Sequence, residues 1–241
     1  MTLLAVERIK LFSTRSPWWC AALALGLTIG FAGLFANYAD FATVSMSQQG
    51  SQFGLMVVMV MAALAVTTEY RFGTIRATFQ AVPNRTAALL AKTGVVAALA
   101  LVIGEVAGFG SWAVTKLFSP AGDLALDSAE DLRLVAGVGL VYALGAVIAV
   151  AVGALVRQSA GAVTILILWP TLIEGLVSAI PSVGPEIRRW LPFNASNHFL
   201  SEGGMGAMDM PFGPWGSLLY FAAVSIGLLV IGLAVTNRRD A

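Results

Sequence analysis

Six long apolar stretches constrain this chain more than any other feature, because almost all of them are long enough to cross a lipid bilayer. They cover residues 17–36, 53–68, 93–114, 132–156, 160–180 and 215–235. A membrane-spanning helix needs about 20 mostly apolar residues. Of the 241 residues, 58% are hydrophobic and 11% are charged, against roughly 45–50% and about 25% in soluble domains. The sequence therefore predicts an all-α integral membrane protein with six transmembrane helices in a single domain, residues 1–241.

Lysine and arginine are distributed unevenly between the two sides of this six-span arrangement. Ten of the fourteen fall on the side that holds both termini and the segment between spans two and three. Because loops rich in Lys and Arg stay in the cytoplasm, we expect both termini and that segment to be cytoplasmic. The ten are Arg8, Lys10, Arg15, Arg71, Arg76, Arg85, Lys92, Arg157, Arg238 and Arg239.

Two charged segments on this side have helical spacing. Residues 1–16 carry Val6, Ile9 and Phe12 on one face, with Glu7 and Lys10 elsewhere, which predicts an amphipathic helix on the membrane surface. Residues 68–85 form the connector between spans two and three. Its apolar residues Phe72, Ile75 and Phe79 recur at helical spacing, with Gly73 in mid-helix and Pro83 at the end of the predicted helix. The alternative is a cytoplasmic loop without a helix that only follows the charge rule.

The long segment between spans five and six, residues 181–214, is rich in Pro and Gly but carries several aromatic residues. We expect short helices there, on the outer face. Pro170 is expected to kink span five, because proline removes a backbone donor and clashes one turn back.

Two acidic residues in the spans are candidates for a translocation path, together with Pro170. Glu105 lies in mid-span between Gly104 and Gly108. A carboxyl group there is costly unless it faces the bundle interior or is protonated. Three roles remain open for Glu105, namely helix packing, the path and proton coupling. For Glu174 the alternative is an ordinary solvated or capped acid near the outer surface.

Rows of small residues predict close helix contacts, since they let two backbones approach each other. They include Gly26 and Gly30, Gly104 and Gly108, and Gly145 and Gly153.

Several functional classes find no support in the sequence. One histidine and one cysteine cannot build a His/Cys metal cluster, so no metal site is predicted. A net charge of +1 gives no basic stripe for nucleic acid. A phosphate-binding loop requires glycine before its Lys-Ser/Thr pair, whereas Ala91 precedes Lys92-Thr93. No catalytic residue is predicted, and any ATP hydrolysis must come from a partner chain.

The start of the connector, Thr68 to Arg76 with the sequence TEYRFGTIR, resembles the Glu-x-x-x-Gly-Thr signature of type-2 ABC exporter permeases, the ABCG-like group. The six spans, the surface helix at the start and the long segment before the last span also match. In that family the connector is a coupling helix that docks into the ATP-hydrolysing subunit. The resemblance assigns this contact to Glu69, Tyr70, Arg71, Phe72, Gly73, Thr74, Ile75, Arg76 and Phe79.

The resemblance also implies the partners. Two ABC ATPase subunits would bind ATP and Mg, and a second permease, either the same chain or a sister chain, would complete the transporter within membrane lipid. The expected location is the cell membrane of a bacterium, and the expected direction is export past residues 181–214. Two alternatives stay open, namely a proton-coupled secondary transporter that uses Glu105, and an accessory membrane subunit without a transport path.

Overall fold

The computed structural model describes residues 2–38, 42–82, 84–202 and 210–238. This part of the chain is helical, and it contains no β-strand. The α-helices are α1 Leu3–Phe12, α2 Ser16–Tyr38, α3 Val44–Ser47, α4 Ser51–Arg71, α5 Thr74–Ala81, α6 Arg85–Phe118, α7 Ala129–Val156, α8 Ser159–Leu168, α9 Glu174–Ser178, α10 Gly184–Arg188, α11 Pro192–Phe199 and α12 Pro214–Arg238.

Six helical segments in the described ranges are long and apolar enough to cross a membrane, which confirms the predicted all-helical class and number of spans. In chain order they are Ser16–Asn37, Val44–Arg71, Arg85–Phe118, Ala129–Val156, Ser159–Ser178 and Pro214–Arg238. The protein is therefore a multi-pass membrane protein. Span three is longer than predicted, because its helix begins at Arg85 rather than at residue 93. Lys92 consequently lies inside this helix and not in the connector.

Spans two, three and four form the centre of the bundle. In their most apolar windows 61%, 50% and 67% of the residues are buried, against 22%, 17% and 22% for spans one, five and six. Tyr142 of α7 ties three spans together: its hydroxyl donates to the Ser51 carbonyl over 2.7 Å and lies 3.1 Å from the Thr28 hydroxyl. Spans one, five and six therefore present most of their apolar surface outward.

Glycines set the closest helix approaches within this core. A Cβ added at Gly104 would lie 2.6 Å from the Gly139 Cα, and one at Gly108 would lie 2.3 Å from the Val135 carbonyl oxygen. These two glycines therefore let α6 and α7 touch. Gly145 and Gly153 similarly face α4: a Cβ at Gly145 would lie 2.6 Å from Leu55, and one at Gly153 would lie 3.3 Å from the Ala63 carbonyl oxygen.

Gly26 and Gly30 behave differently from these four glycines. A Cβ added at either position would meet no atom within 4 Å. Within the described part of the chain, these two glycines of α2 mediate no close helix contact, because α2 packs on the bundle through another face.

Span five is interrupted near Pro170, where a kink was predicted. Residues Trp169–Ile173 form a π-helical segment between α8 and α9, in which the Glu174 amide donates to the Trp169 carbonyl five residues back. The extra residue in this turn changes the direction in which the following side chains point. Two short helices, α10 and α11, follow before span six.

Hydrogen bonds show that the start of α6 and the end of α12 lie at the same end of the bundle. Arg85 at the start of α6 donates to the Thr236 carbonyl, 3.4 Å away, and Asn237 donates to the Thr86 hydroxyl, 2.9 Å away. The end of α12 therefore lies beside the connector, at what we call the connector end of the bundle. Helix α1 lies at the same end, as its contacts below show.

Candidate functional site

The connector is a turn followed by a short helix. Span two ends at Arg71, and Gly73 then adopts the left-handed conformation with φ 71°, which glycine enters without steric cost. The prediction that Gly73 lies inside the helix is therefore wrong, because this residue separates α4 from α5. Ile75 of α5 is buried and Phe79 is half-buried, but Phe72 lies in the turn with 69% of its surface exposed.

Helix α5 is tied to the end of α4 at its first residue. There the Thr74 hydroxyl donates to the Glu69 carbonyl over 3.5 Å. It ends at Ala81, and Pro83, which was predicted to end it, lies outside the described residues. The Asn84 side chain then caps α6.

Two further residues of the connector region are held by arginines. The guanidinium group of Arg157 lies 5.1 Å from the centre of the Tyr70 ring, and that of Arg85 lies 5.2 Å from the centre of the Phe79 ring. Tyr70 therefore contacts the turn between spans four and five, while Phe79 faces the start of span three.

Four charged side chains meet behind the connector. We call Glu7, Lys10, Glu69 and Lys92 the interhelical ion cluster. Lys92 lies 2.5 Å from Glu7 Oε2 and 2.9 Å from Glu69 Oε1, measured from its Nζ. Lys10 Nζ lies 2.8 Å from Glu7 Oε1 and 3.4 Å from Glu69 Oε1, and it donates to the Thr78 hydroxyl over 3.1 Å. The cluster therefore joins α1, α4, α5 and α6.

The cluster is largely withdrawn from solvent. The side chains of Glu7 and Lys92 are 6% and 8% exposed, that of Glu69 is 13% exposed, and that of Lys10 is 36% exposed. Two carboxylates against two ammonium groups leave no net charge. Such a balance is what permits burial, because an isolated buried charge costs several kcal/mol. Glu69 Oε2 is buried and accepts no hydrogen bond from a described residue.

Burial and ion pairing have opposite effects on the pKa values of Glu7 and Lys10, the two members of the cluster that belong to α1. Burial alone would raise the pKa of Glu7, but the ammonium groups of Lys92 and Lys10 outweigh it and hold this pKa below its ordinary value. Burial would likewise lower the pKa of Lys10, but Glu7 and Glu69 raise it above its ordinary value. Both residues are therefore charged at neutral pH.

The sequence did not predict this cluster. The spacing of Val6, Ile9 and Phe12 placed Glu7 and Lys10 on a polar face, whereas in α1 Glu7 and Leu11 are buried and Ile9 is 52% exposed. The sequence did contain one indication of an ion pair: Glu69 and Lys92 have opposite charges, and they lie on the two sides of the connector near the ends of adjacent spans. Nothing in the local pattern identified Glu7 as their partner.

A cavity of about 760 Å³ lies beside the cluster, between α1, α5 and spans two and three. Its walls are mainly apolar and include Val6, Leu11, Met61 and Val96, while the cluster and Thr78 provide its polar part. Helix α5 is therefore not packed tightly against the bundle along its whole length. Space therefore remains between α5 and the bundle.

Glu105 lies where α6 crosses α7. A Cβ added at Gly139 would come within 2.3 Å of Glu105 Oε1, so the half-buried carboxyl group packs directly on the backbone of span four. No hydrogen bond or ion pair joins Glu105 to another residue in the described part of the chain. Because Gly139 has no side chain, the Glu105 carboxyl group fits between spans three and four.

Glu174 is buried and therefore not solvated. It is 3% exposed, and its carboxylate accepts hydrogen bonds from the backbone amides of Phe193 and Asn194 and from the Asn194 side chain, at 3.0–3.1 Å. It caps the N-terminus of α11, where a carboxylate satisfies free amides and the helix dipole. Of the two forms expected for an ordinary acid, solvated or capped, the buried carboxylate that accepts amide hydrogen bonds fits the second.

Helix α11 is held at its other end by Arg133 of α7. The guanidinium group donates to the carbonyls of Phe199 and Ser201, and it lies 5.6 Å from the centre of the Phe199 ring. His198 Nδ1 lies 2.9 Å from the Ser217 hydroxyl. Burial and the nearby Arg133 lower the pKa of His198, so the ring is neutral at neutral pH. Helix α11 is thus fixed to spans four, five and six.

The described residues provide no group of three or more His, Cys, Asp or Glu side chains that would hold a metal ion. The Ser217 side chain is fully buried beside His198, so a substrate cannot approach its hydroxyl group. No protein-family model matches the sequence, and no curated protein matches it. The candidate site is therefore defined by its geometry: a short helix at the connector end, braced by a buried ion cluster.

Proposed function

We propose that this chain is the permease subunit of an ABC-type exporter, which moves a substrate outward with energy from ATP hydrolysed by separate subunits. The observation that carries the proposal is the position of α5. It is a short helix with exposed residues, placed between the ends of the two central spans α4 and α6 and tied to α1 through Lys10 and Thr78. The resemblance of the Thr68–Arg76 segment to the coupling helix of type-2 permeases supports the same function.

The ion cluster gives α5 a mechanical connection to the spans. Glu69 belongs to the last turn of α4, and Lys92 lies two turns inside α6. Separating them would leave buried charges without partners, which costs about 3–5 kcal/mol. A push on α5 therefore moves α1, α4 and α6 together instead of breaking their contacts. The cavity behind α5 provides the space for that movement.

In this mechanism the central spans rock, and the far end of the bundle opens. Helix α11 is fixed by Glu174 of span five and by Arg133 of span four, so it follows these two spans. The weakly buried spans one, five and six leave apolar faces for a second permease and for membrane lipid. The connector end would lie in the cytoplasm of a bacterial cell, as the distribution of Lys and Arg predicts.

The decisive experiment combines purification and reconstitution. The chain is expressed with a Walker-motif ATPase, sought among the reading frames beside its own, and ATP hydrolysis is measured in lipid vesicles. We expect a stable complex with both ATP and Mg required for hydrolysis by the partner, and no hydrolysis by this chain alone. Replacing Glu69 and Arg71 should abolish transport while leaving membrane insertion intact. Robust ATPase activity from the purified chain alone would refute the proposal.

Glu105 supports a second candidate, a proton-coupled transporter. A carboxyl group in mid-span with no hydrogen-bond partner among the described residues is the kind of group that binds and releases protons. In proteoliposomes, flux driven by a pH gradient without ATP and lost in the E105Q variant would favour this function. If the chain is instead an accessory subunit, its loss would impair complex assembly without any change in flux per assembled complex.

A further inference from the structure

The cavity between α5 and the bundle has a charged end and apolar walls. Its charged end is the interhelical ion cluster, which lies at the connector end. From Glu69, Ala65 and Met61 follow at steps of four residues on one face of α4, and both line the cavity. On α6, Val96 lines it one turn beyond Lys92. The cavity therefore extends from the cluster about 12 Å along α4 into the bundle.

This order of charged and apolar groups matches the order of groups in a lipid layer. Met61 and Val96 are almost completely buried within spans two and three, at the depth of lipid chains, whereas the cluster lies near the helix ends, where lipid head groups lie. The volume of about 760 Å³ is within the range of roughly 300–1,000 Å³ that is usual for ligand sites. An amphiphile fits with its head group at the cluster and its chain between the spans.

The hydrogen-bonding capacity of the cluster specifies the head group. An ammonium group has three donors. Lys10 Nζ contacts three acceptors, on Glu7, Glu69 and Thr78. Lys92 Nζ contacts the first two of these residues alone in the described part of the chain, and Glu69 Oε2 is buried without a donor there. A hydroxyl group satisfies both, because it donates to a carboxylate and accepts from an ammonium group.

Charge balance favours a neutral head group. The two carboxylates and two ammonium groups of the cluster already cancel, so a charged ligand would leave an uncompensated charge in a largely buried site, which is costly. The membrane is the nearest source of such a ligand. Leu4 and Ile9 on one side of α1 are exposed and apolar, while Val6 and Leu11 of the same helix line the cavity. A single helix thus separates the cavity from the lipid-facing surface.

We propose that this cavity binds an uncharged membrane lipid with one apolar chain and a hydroxyl-bearing head group, of the chemical class of the monoacylglycerols. The head group lies at Glu69 and Lys92, and the chain lies along Ala65, Met61 and Val96. The bound lipid fills the space behind α5 and restrains this helix. The site is formed by this chain alone, so it does not depend on the proposed function.

Photolabelling of the full-length chain in phosphatidylcholine nanodiscs tests the site. Two monoacylglycerol probes carry a diazirine, one next to the head group and the other near the end of the chain. We expect the first to label α1 and α5 near the cluster and the second to label α4 around Met61. An excess of unlabelled monoolein should remove both adducts. Labelling confined to α2 and α12, or the reverse order of the two probes along α4, would refute the site.

Competition against the same probes tests the head group without changing the protein. The dimethyl ether of monoolein keeps the chain and the oxygen acceptors but cannot donate to the carboxylate. It should compete about 10-fold more weakly than monoolein, since it lacks a hydrogen bond to a charged group. An alkylamine of the same chain length should also compete more weakly, because it adds a charge. Competition by either compound that equals or exceeds that of monoolein would overturn the proposal.

Two substitutions on α5 test the position of the lipid. Ala77 is exposed and lines the cavity, whereas Gln80 is exposed on the same helix and does not line it. A77W should abolish the adducts because the indole ring fills the space, and Q80W should leave them unchanged. Monoolein should slow hydrogen exchange in residues 74–81 of the wild type and of Q80W but not of A77W. Equal labelling of the two variants, or exchange that monoolein leaves unchanged in the wild type, would refute the proposal.

Discussion

Lys92 and Glu69 form an ion pair of 2.9 Å that joins the helices on the two sides of the connector. The second carboxylate on Lys92 comes from Glu7, 85 residues away in the sequence. One ammonium group thus holds a surface helix and two central spans in a fixed arrangement. In the proposed mechanism a force on α5 reaches this arrangement through Thr78, which accepts a hydrogen bond from Lys10.

Replacing Lys92 with alanine should destabilise the protein by about 3–5 kcal/mol, because Glu7 and Glu69 would remain buried with Lys10 as their one counter-ion in the cluster. The measurement is thermal or denaturant unfolding in detergent. Lys116 provides the matched control, since it is exposed and its ammonium group lies over the Trp112 ring. K116A should cost less than about 1 kcal/mol. Equal effects of the two substitutions would mean that the cluster contributes no stability.

Lys10→Met should separate function from stability. Lys10 is the most exposed member of the cluster, and it is the one that reaches Thr78 on α5. Its loss should change unfolding less than the loss of Lys92 does, but it should reduce ATP-driven transport strongly because α1 and α5 are no longer tied together. T78V removes the same hydrogen bond without removing a charge, and it should reduce transport in the same direction. Full transport by both variants would contradict the proposed role of α1.

Stability should fall in acid because of Glu7. Its pKa is lowered in the folded protein relative to the ordinary value of 4.5, so the stabilisation is fully present above that value and is lost as the pH falls through the folded pKa. Unfolding midpoints measured from neutral pH down to about pH 3 should show a steeper decline for the wild type than for E7Q. Lys10, whose pKa is raised above 10.5, should add a loss of stability in strong alkali that K10M lacks. Identical acid profiles for wild type and E7Q would refute the assignment.

Gly108→Ala should destabilise the bundle, because the new Cβ would lie 2.3 Å from the Val135 carbonyl oxygen and force α6 and α7 apart. The matched change Gly26→Ala meets no atom within 4 Å. In the isolated chain it should be neutral or stabilising by up to about 1 kcal/mol, which is the difference in helix propensity. The two variants are compared by unfolding in detergent. If G26A alone impairs assembly of the proposed complex, that face of α2 packs against another subunit.

Glu174→Ala should release the N-terminus of α11. The substitution leaves the amides of Phe193 and Asn194 without their acceptor, and each unsatisfied amide costs about 1–3 kcal/mol. Hydrogen exchange should therefore increase in residues 192–199, while α4 and α6 remain protected. E186Q is the control, because Glu186 pairs with Arg189 on the exposed surface. Unchanged protection of α11 in E174A would show that Arg133 and packing hold it without the cap.

The sequence by itself determined the all-helical class and the six spans, and it indicated a short helix between spans two and three without excluding a plain loop. These features follow from the length of apolar runs and from residue spacing, which act locally along the chain. The tertiary structure alone decided how the charges pair. From the sequence, Glu7 appeared to be on a polar surface and Gly73 inside a helix, and the capping partner of Glu174 was not identified. Lys92, one partner of Glu7, is 85 residues away, and the backbone amides that Glu174 accepts from are 19 and 20 residues away. Gly73 adopts φ 71° in the turn between α4 and α5. Pairing of buried charges depends on which helices become neighbours, and periodicity along one helix does not contain that information.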